Sequence, residues 1–386
     1  MPLRRLLSLL FLSLLTACQA AAPALPLTPS PTLPASPAAP LSPTLAPTLT
    51  ASPAPTLSPT PSPTLSDTPT PVPPTPTSAI TTLLFTGVIV PARCVQAAID
   101  ASGNPDHPYE EVRQIITDAD LAVGTLNATI SDFPPHTGCV PTYVLVGSSE
   151  NADALQRAGF DVMSVATNHI KNCGLANCGN RAFFDTLDNL RRVGILPVGA
   201  GADHAAAIQP VVVTLNGVRF GFVSLGQIEP MAFAREDRPG IAVLNEENLK
   251  AAIAAARQVS DVVIAMPHWG PEDVPIPNWS QRGLAVQLVE AGADLVVGNH
   301  THVVQAIQQI EGVDVFYGLG NFVFDQWPRD HQQGVILLVR FEGARYLGYE
   351  LIPTHVDKDG RVHIAGADEA EEVIDRIQKA RETLER

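Results

Sequence analysis

The stretch Ala291-Gly-Ala-Asp-Leu-Val-Val-Gly-Asn-His-Thr-His302 decides how this chain reads. Asp294 to Val297 is a short apolar run behind a glycine, the pattern of a strand buried on both faces of a parallel sheet. The run stops at Gly298, and two histidines follow with one residue between them. In an extended segment, positions i and i+2 point the same way, so His300 and His302 can aim two imidazoles at one point. That point lies at the carboxyl end of a strand, where open α/β sheets place their sites. Neutral imidazole is the commonest metal ligand. Taken alone, the pair reads equally well as two surface histidines.

The same cadence recurs upstream. Asp120-Leu-Ala-Val-Gly124 runs into Thr125-Leu126-Asn127. Phe160-Asp161-Val-Met-Ser-Val-Ala166 runs into Thr167-Asn168-His169, and Asp261-Val-Val-Ile-Ala-Met266 runs into Pro267-His268-Trp269-Gly270. Each time an acidic residue opens an apolar strand and polar residues close it. Three of the four strands deliver histidine at the closing end, and these loops hold four of the chain's 10 histidines. A shared site built from His169, His268, His300 and His302 follows.

From about Ile80 strand-like runs alternate with helical patterns, the signature of an α/β fold. Helices are predicted over 108–117, 149–158, 183–193, 245–259 and 280–291. Later strands are predicted over 218–225, 313–317, 335–341 and 346–353, the last two an antiparallel pair about Glu342-Gly343-Ala344. No second composition break appears, so residues 81–355 read as one domain, and 356–386 as an extension ending in a charged amphipathic helix.

The first residues read as a targeting segment. Arg4 and Arg5 precede the apolar run Leu6 to Leu15, too short to span a bilayer. Leu15-Thr16-Ala17-Cys18 resembles the lipobox of bacterial lipoproteins. That resemblance implies removal of residues 1–17, lipidation of Cys18 and an extracytoplasmic, membrane-anchored protein; an ordinary secretory signal is the rival. Residues 18–80 are mostly Pro, Ser, Thr, Ala and Leu, with almost no charge. Such a segment cannot bury enough apolar surface to offset its ordering entropy, and it reads as a disordered spacer.

Formal net charge is -15, and no basic stripe follows Arg5. Nucleic acid is therefore not an expected partner. Of 5 cysteines, Cys94, Cys139, Cys173 and Cys178 remain after Cys18, an even count in an oxidising compartment. A Cys173–Cys178 bond would brace the loop after His169, leaving Cys94–Cys139 by elimination. Zinc binding by the four thiols is the rival, though the spacing is not a paired Cys-x-x-Cys.

Taken together, several ordered motifs resemble the CapA family of capsule and poly-γ-glutamate synthesis proteins, related to calcineurin-like metallophosphoesterases. They are Ala119-Asp120-Leu121, Ala166-Thr167-Asn168-His169, Gly199-Ala200-Gly201, His268-Trp269-Gly270 with Glu272, Gly298-Asn-His-Thr-His302 and Gly318-Leu-Gly-Asn321-Phe-Val-Phe-Asp325. The likeness runs from about Leu83 to Pro353. It implies a four-layer α-β-β-α sandwich of the metallophosphoesterase type. It implies metal ligands at Asn168, His169, His268, His300 and His302, and catalytic work for His268, His300 and Glu272. The expected partners are an envelope polymer and its synthesis or export machinery.

Three departures stand beside the resemblance. Val88 and Asn127 occupy positions where the family carries carboxylates, and Asn172 replaces an aspartate. Two dications about 3.5 Å apart repel by roughly 19 kcal/mol at an effective dielectric of 20, an illustrative figure. Neutral imidazoles do not offset that repulsion, so one divalent metal (Mn, Zn or Fe) at most is expected, unless Glu272 or Asp325 supplies charge. With the ordinary imidazole value of about 6.5, loading should weaken below about pH 6. Two functions stay open: a metal-dependent hydrolase acting on a phosphoester or a polymer amide, and a non-catalytic polymer-binding or assembly protein.

Overall fold

The computed structural model describes residues 79–133, 136–171 and 180–385. Cys18, residues 18–78 of the expected spacer, Asn172, Cys173 and Cys178 lie outside them, and Ile80, read as the spacer's last residue, already opens the first strand. The described residues belong to the second of two units, Pro73–Arg386.

Two twisted sheets carry the domain. The first runs in the order Val362–Ile364, Arg345–Val356, Gln333–Glu342, Ile80–Ile89, Leu121–Leu126, Val162–Ser164 and Leu196–Val198, with Asn321–Val323 also pairing Ile80–Ile89. The second runs Ile307–Ile310, Val313–Phe316, Leu295–Val297, Val262–His268, Val218–Gly226 and Val211–Leu215. Their middle strands are parallel. Sharp alternation divides each strand between two cores. Leu83, Phe85, Val123 and Val162 of the first sheet meet Phe220, Ile264, Val297 and Phe316 of the second. On the outer face of the first sheet, Leu84, Ala122 and Met163 pack against Val95, Leu155 and Leu187 of the helices Cys94–Ser102, Glu150–Ala158 and Arg181–Arg192. On the outer face of the second, Val263, Ala265 and Val296 meet Leu249, Ile253 and Leu288 of Glu246–Val259 and Trp279–Glu290. The result is the expected four-layer α-β-β-α sandwich.

The cadence of acidic residues has a structural cause. Asp120, Asp161, Asp261 and Asp294 each donate their own N–H to the preceding parallel strand, at Thr82, Ala122, Arg219 and Val263. Each then accepts the N–H of that same residue on its carboxylate, at 2.7–2.9 Å. The side chain thus takes the place of the next rung where the ladder begins. It satisfies a donor that would otherwise cost about 1–3 kcal/mol if buried, and it pins the register of four parallel pairings.

The hairpin about Glu342-Gly343-Ala344 forms as read, joining Gln333–Glu342 to Arg345–Val356. The terminal helix, Ala367–Leu384, is packed rather than solvated: Val373 and Ile377 complete the inter-sheet core. Two sequence expectations change. The helix expected over 108–117 is regular only at Arg113–Thr117, because Pro108 to Val112 forms turns around the fully buried Tyr109. Cys94–Ser102 is a further helix that no cap announced: its N-cap is Arg93, with φ of 52° and no side-chain cap hydrogen bond.

Candidate metal centre

The carboxyl ends of the parallel strands converge on one patch of loops. Asn299 N–H donates to the Pro267 carbonyl at 3.0 Å and Trp269 N–H to the Asn299 carbonyl at 3.1 Å, zipping the two histidine loops together. Asp273 N–H joins them by donating to the Thr301 carbonyl. Gly298 is required at the crossing: a Cβ there would stand 2.4 Å from Trp269 Nε1 and 2.5 Å from the Tyr317 carbonyl. Trp269 Nε1 donates to that same carbonyl at 2.9 Å and stacks on Tyr317.

Four imidazoles and one carboxylate meet there. The rings of His268 and His300 lie 4.7 Å apart between centroids, and those of His300 and His302 6.0 Å. Glu272 Oε1 stands 3.9 Å from His300 Nε2 and 3.8 Å from His302 Nε2. Among the described residues, Glu272, His300 and His302 form the group whose ligand atoms all fall within 4.8 Å of one another. Asn168 faces the other side of the cluster, its Oδ1 2.9 Å from His268 Nε2. His169 is held by its backbone N–H, which donates to Asn127 Oδ1 at 3.1 Å. All five residues expected as ligands therefore lie in this loop cluster, and Glu272 closes it.

The pair is not brought together as the sequence suggested. The backbone is not extended between His300 and His302: their φ values are 106° and 60°. Left-handed backbone at two histidines is strained, and such strain concentrates at functional sites. Arg93 and Asp273, at 52° and 63°, add two more such residues around the same loops.

Hydrogen bonding fixes which nitrogens face the cluster. Asn321 Nδ2 donates to the His331 carbonyl and to Gln326 Oε1, each at 2.9 Å, so its Oδ1 is turned to His302. His302 Nδ1 then donates to that oxygen at 2.8 Å, leaving the Nε2 lone pair aimed toward Glu272. This is the outer support that metal-binding histidines use. Among the described residues, His268 Nδ1, His300 Nδ1 and Asn299 Oδ1 are buried polar atoms with no hydrogen-bond partner. Burial pushes His300 down to about 3, with repulsion from His302 adding to it. Burial likewise takes His169 and His302 to about 4 and His268 well below its ordinary value. All four are neutral at physiological pH, with their lone pairs free of protons. The donor set fits a borderline divalent cation, and the acid limit on the histidines moves below the pH 6 expected from an unperturbed imidazole. Burial, reinforced by Asp273, holds the Glu272 carboxyl above its ordinary value.

Asp325 supplies no charge to the cluster. Its carboxylate is paired with the Arg93 guanidinium and also accepts the Cys94 N–H at 3.0 Å. Arg93 donates as well to the Thr142 carbonyl at 3.0 Å, and Cys94 is bonded to Cys139. That disulfide removes two thiols from any four-cysteine zinc site. Sequence reading passed over Arg93, although it stands just beyond the carboxyl end of Ile80–Ile89. Val88 is fully buried, and Asn127, also buried, has no partner for its Nδ2 among the described residues.

The class these observations define is an α-β-β-α sandwich with imidazoles gathered at the carboxyl ends of its parallel strands. More narrowly, residues 82–326 match the family model described as "Bacterial capsule synthesis protein PGA_cap", and the chain belongs to that family. It is 28% identical over 285 residues to the PGA biosynthesis protein CapA of Bacillus subtilis, covering 71% of this chain and 73% of that one. It is 27% identical to the capsule biosynthesis protein CapA of Bacillus anthracis, covering 77% and 73%. Among solved structures it is similar to the NAD nucleotidase of Haemophilus influenzae, with a TM-score of 0.45 and 11% identity, covering 78% of this chain and 63% of that one.

Proposed function

We propose that this chain serves capsule synthesis of the poly-γ-glutamate type, and that its loop cluster is a hydrolytic centre holding one divalent metal. The relatives' printed roles support the first part. The convergence of Glu272 with the neutral imidazoles of His300 and His302 carries the second. Asn168, His169, His268, His300 and His302 would hold the metal, which supplies an activated water and polarises the scissile bond. Asn321 orients His302. His268 is oriented by Asn168. Glu272, half-exposed and with a raised pKa, sits where it can take and return a proton. Its single carboxylate cannot neutralise two dications, and Asp325 is already paired with Arg93.

The second reading is a polymer-binding protein without catalysis. It is favoured by Val88 and Asn127, which leave two positions without the carboxylates the sequence resemblance implies. Elemental analysis and Mn²⁺ or Zn²⁺ titration of the purified chain, read as the metal lost in His300→Ala/His302→Ala, separate the two. One equivalent lost, together with aryl phosphodiester hydrolysis, supports the hydrolase. No difference between the two proteins hands the case to the binding role. Val88→Asp with Asn127→Glu is expected to admit a second metal at the centre.

We also propose lipid attachment at Cys18, on the order of Arg4-Arg5, the leucine run and the lipobox-like segment. Cys18→Ser should release the protein from membranes or block its processing. Among the described residues no helix is long and apolar enough to cross a membrane.

A further inference from the structure

His302 and His169 are steadied in opposite ways. His302 leans on Asn321, which is buried and itself twice bonded. The His169 ring donates its N–H to the backbone carbonyl of Tyr143, and the chain around that carbonyl lies at the surface. Val140 is 46% and Tyr143 81% exposed, and no residue from Gly138 to Val144 is buried. The segment belongs to no helix or strand. Apolar packing therefore does not place this carbonyl.

It is placed from Arg93-Cys94. Cys94 is bonded to Cys139, and Arg93 Nη1 donates to the Thr142 carbonyl at 3.0 Å. Both grips are anchored in turn, because Asp325 pairs with the Arg93 guanidinium and accepts the Cys94 N–H at 3.0 Å. Within the segment the Thr142 hydroxyl oxygen accepts the Val144 N–H at 3.0 Å, closing a turn around Tyr143. A metal-binding imidazole gives one nitrogen to the ion and donates the N–H of the other to an outer acceptor, which fixes ring and tautomer. The Tyr143 carbonyl stands in that relation to His169.

Taking the loop cluster as the proposed metal centre, we infer that the Tyr143 carbonyl is the positioning group of His169, and that the Cys94–Cys139 bond makes this support conditional on an oxidising compartment. Cys139 is exposed, so a dithiol reductant reaches the bond. One thiolate of the dithiol attacks the Cys139 sulfur and displaces Cys94 as its thiolate; the second thiolate then displaces Cys139. The chain gains two electrons and two protons as two thiols, and the dithiol leaves as a cyclic disulfide. Of the two grips only the Arg93 bond remains. A surface stretch with so few contacts opens locally at little cost, and His169 loses its acceptor. On the exported route read from the first residues, the centre would stay incomplete until the chain left the reducing cytosol.

Nitrogen NMR of the metal-free full chain with labelled histidines reads the support directly. The His169 ring N–H is expected as a slowly exchanging signal in the parent. It should vanish in Cys94→Ser/Cys139→Ser, and in Cys173→Ser/Cys178→Ser treated with a dithiol, while the His302 N–H bonded to Asn321 survives in both. Equilibrium dialysis with Mn²⁺, which thiols bind poorly, should show at least tenfold weaker binding in Cys94→Ser/Cys139→Ser at unchanged stoichiometry. Loss of the His302 signal as well marks an unfolded variant. Thr142→Val then decides, since it keeps the disulfide and opens the turn around Tyr143; it is expected to speed exchange of the His169 N–H and to weaken Mn²⁺ binding severalfold. A folded serine variant with the parent's His169 signal and Mn²⁺ affinity, or a Thr142→Val chain indistinguishable from the parent, overturns the assignment. A parent that binds no Mn²⁺ refutes the proposed centre instead, and the His169 signal by itself then decides whether Tyr143 supports the ring.

Discussion

Acid should unfold the metal-free protein far above the pH at which its buried histidines accept protons. His169 and His302 have an ordinary value of 6.5 and sit at about 4 in the fold, with burial as the leading cause. Unfolding returns them to the ordinary value. Between roughly pH 6.5 and 4 the unfolded chain therefore binds more protons than the folded one, and stability must fall as pH falls. The contribution is whole above 6.5 and is lost progressively toward the folded values. At about 1.4 kcal/mol per pH unit, each of these two imidazoles withdraws about 3 kcal/mol by pH 4. Against a typical total of roughly 5–15 kcal/mol, that is a large fraction. Denaturant midpoints of the metal-free chain between pH 7.5 and 4.5 measure it. The slope, rather than the absolute stability, should shrink by about one proton in His302→Gln. Imidazole proton resonances that titrate near 6.5 in the folded chain, or midpoints unchanged across this range, would refute the reasoning.

Three further outcomes follow from packing. Gly298→Ala should destabilise by about 1–3 kcal/mol by overpacking, since its Cβ meets Trp269 Nε1 and the Tyr317 carbonyl; thermal melts with tryptophan fluorescence read both the loss and the displaced ring. Asp161→Ala should cost about 1–3 kcal/mol, because the Ala122 N–H loses its acceptor; an accelerated amide exchange confined to Ala122 and its neighbours would locate the effect. Cys94→Ser/Cys139→Ser should lower stability by about 4 kcal/mol in the chain-entropy model for a separation of 45 residues, read as a denaturant midpoint under non-reducing conditions.

The sandwich was legible because its strands announce themselves twice. The apolar runs mark strands buried on both faces, and the aspartates that open them are the residues that clamp register. Asn245 and Asn278 cap the helices Glu246–Val259 and Trp279–Glu290, each accepting the backbone N–H of the third residue on. Cys94–Ser102 carried no such cap and followed directly on the first strand, so nothing local separated it. Which residues meet was legible because three of the four strands end on a histidine. The geometry of their meeting was not. The left-handed turns at His300 and His302 depend on the crossing at Gly298, and alternation alone suggested an extended path to the same meeting point. The withdrawal of Asp325 depends on Arg93, 232 residues away.

The first strand has a mechanical consequence. Its start, Ile80, pairs Glu342 beside the hairpin turn, and its far end, Val88 and Ile89, pairs Thr125, Leu126 and Asn321 among the site loops. Were the chain held from its amino-terminal side, as the proposed anchorage requires, a polymer pulling on the loops would stretch the molecule along this strand. Its hydrogen bonds to Gln333–Glu342 on one side and Leu121–Leu126 on the other lie across that line. They would be loaded in shear and have to rupture together, whereas a hairpin pulled from its open end unzips rung by rung. The strand between the two points of attachment is thus the one set in the middle of its sheet, with a neighbour gripping it on either side.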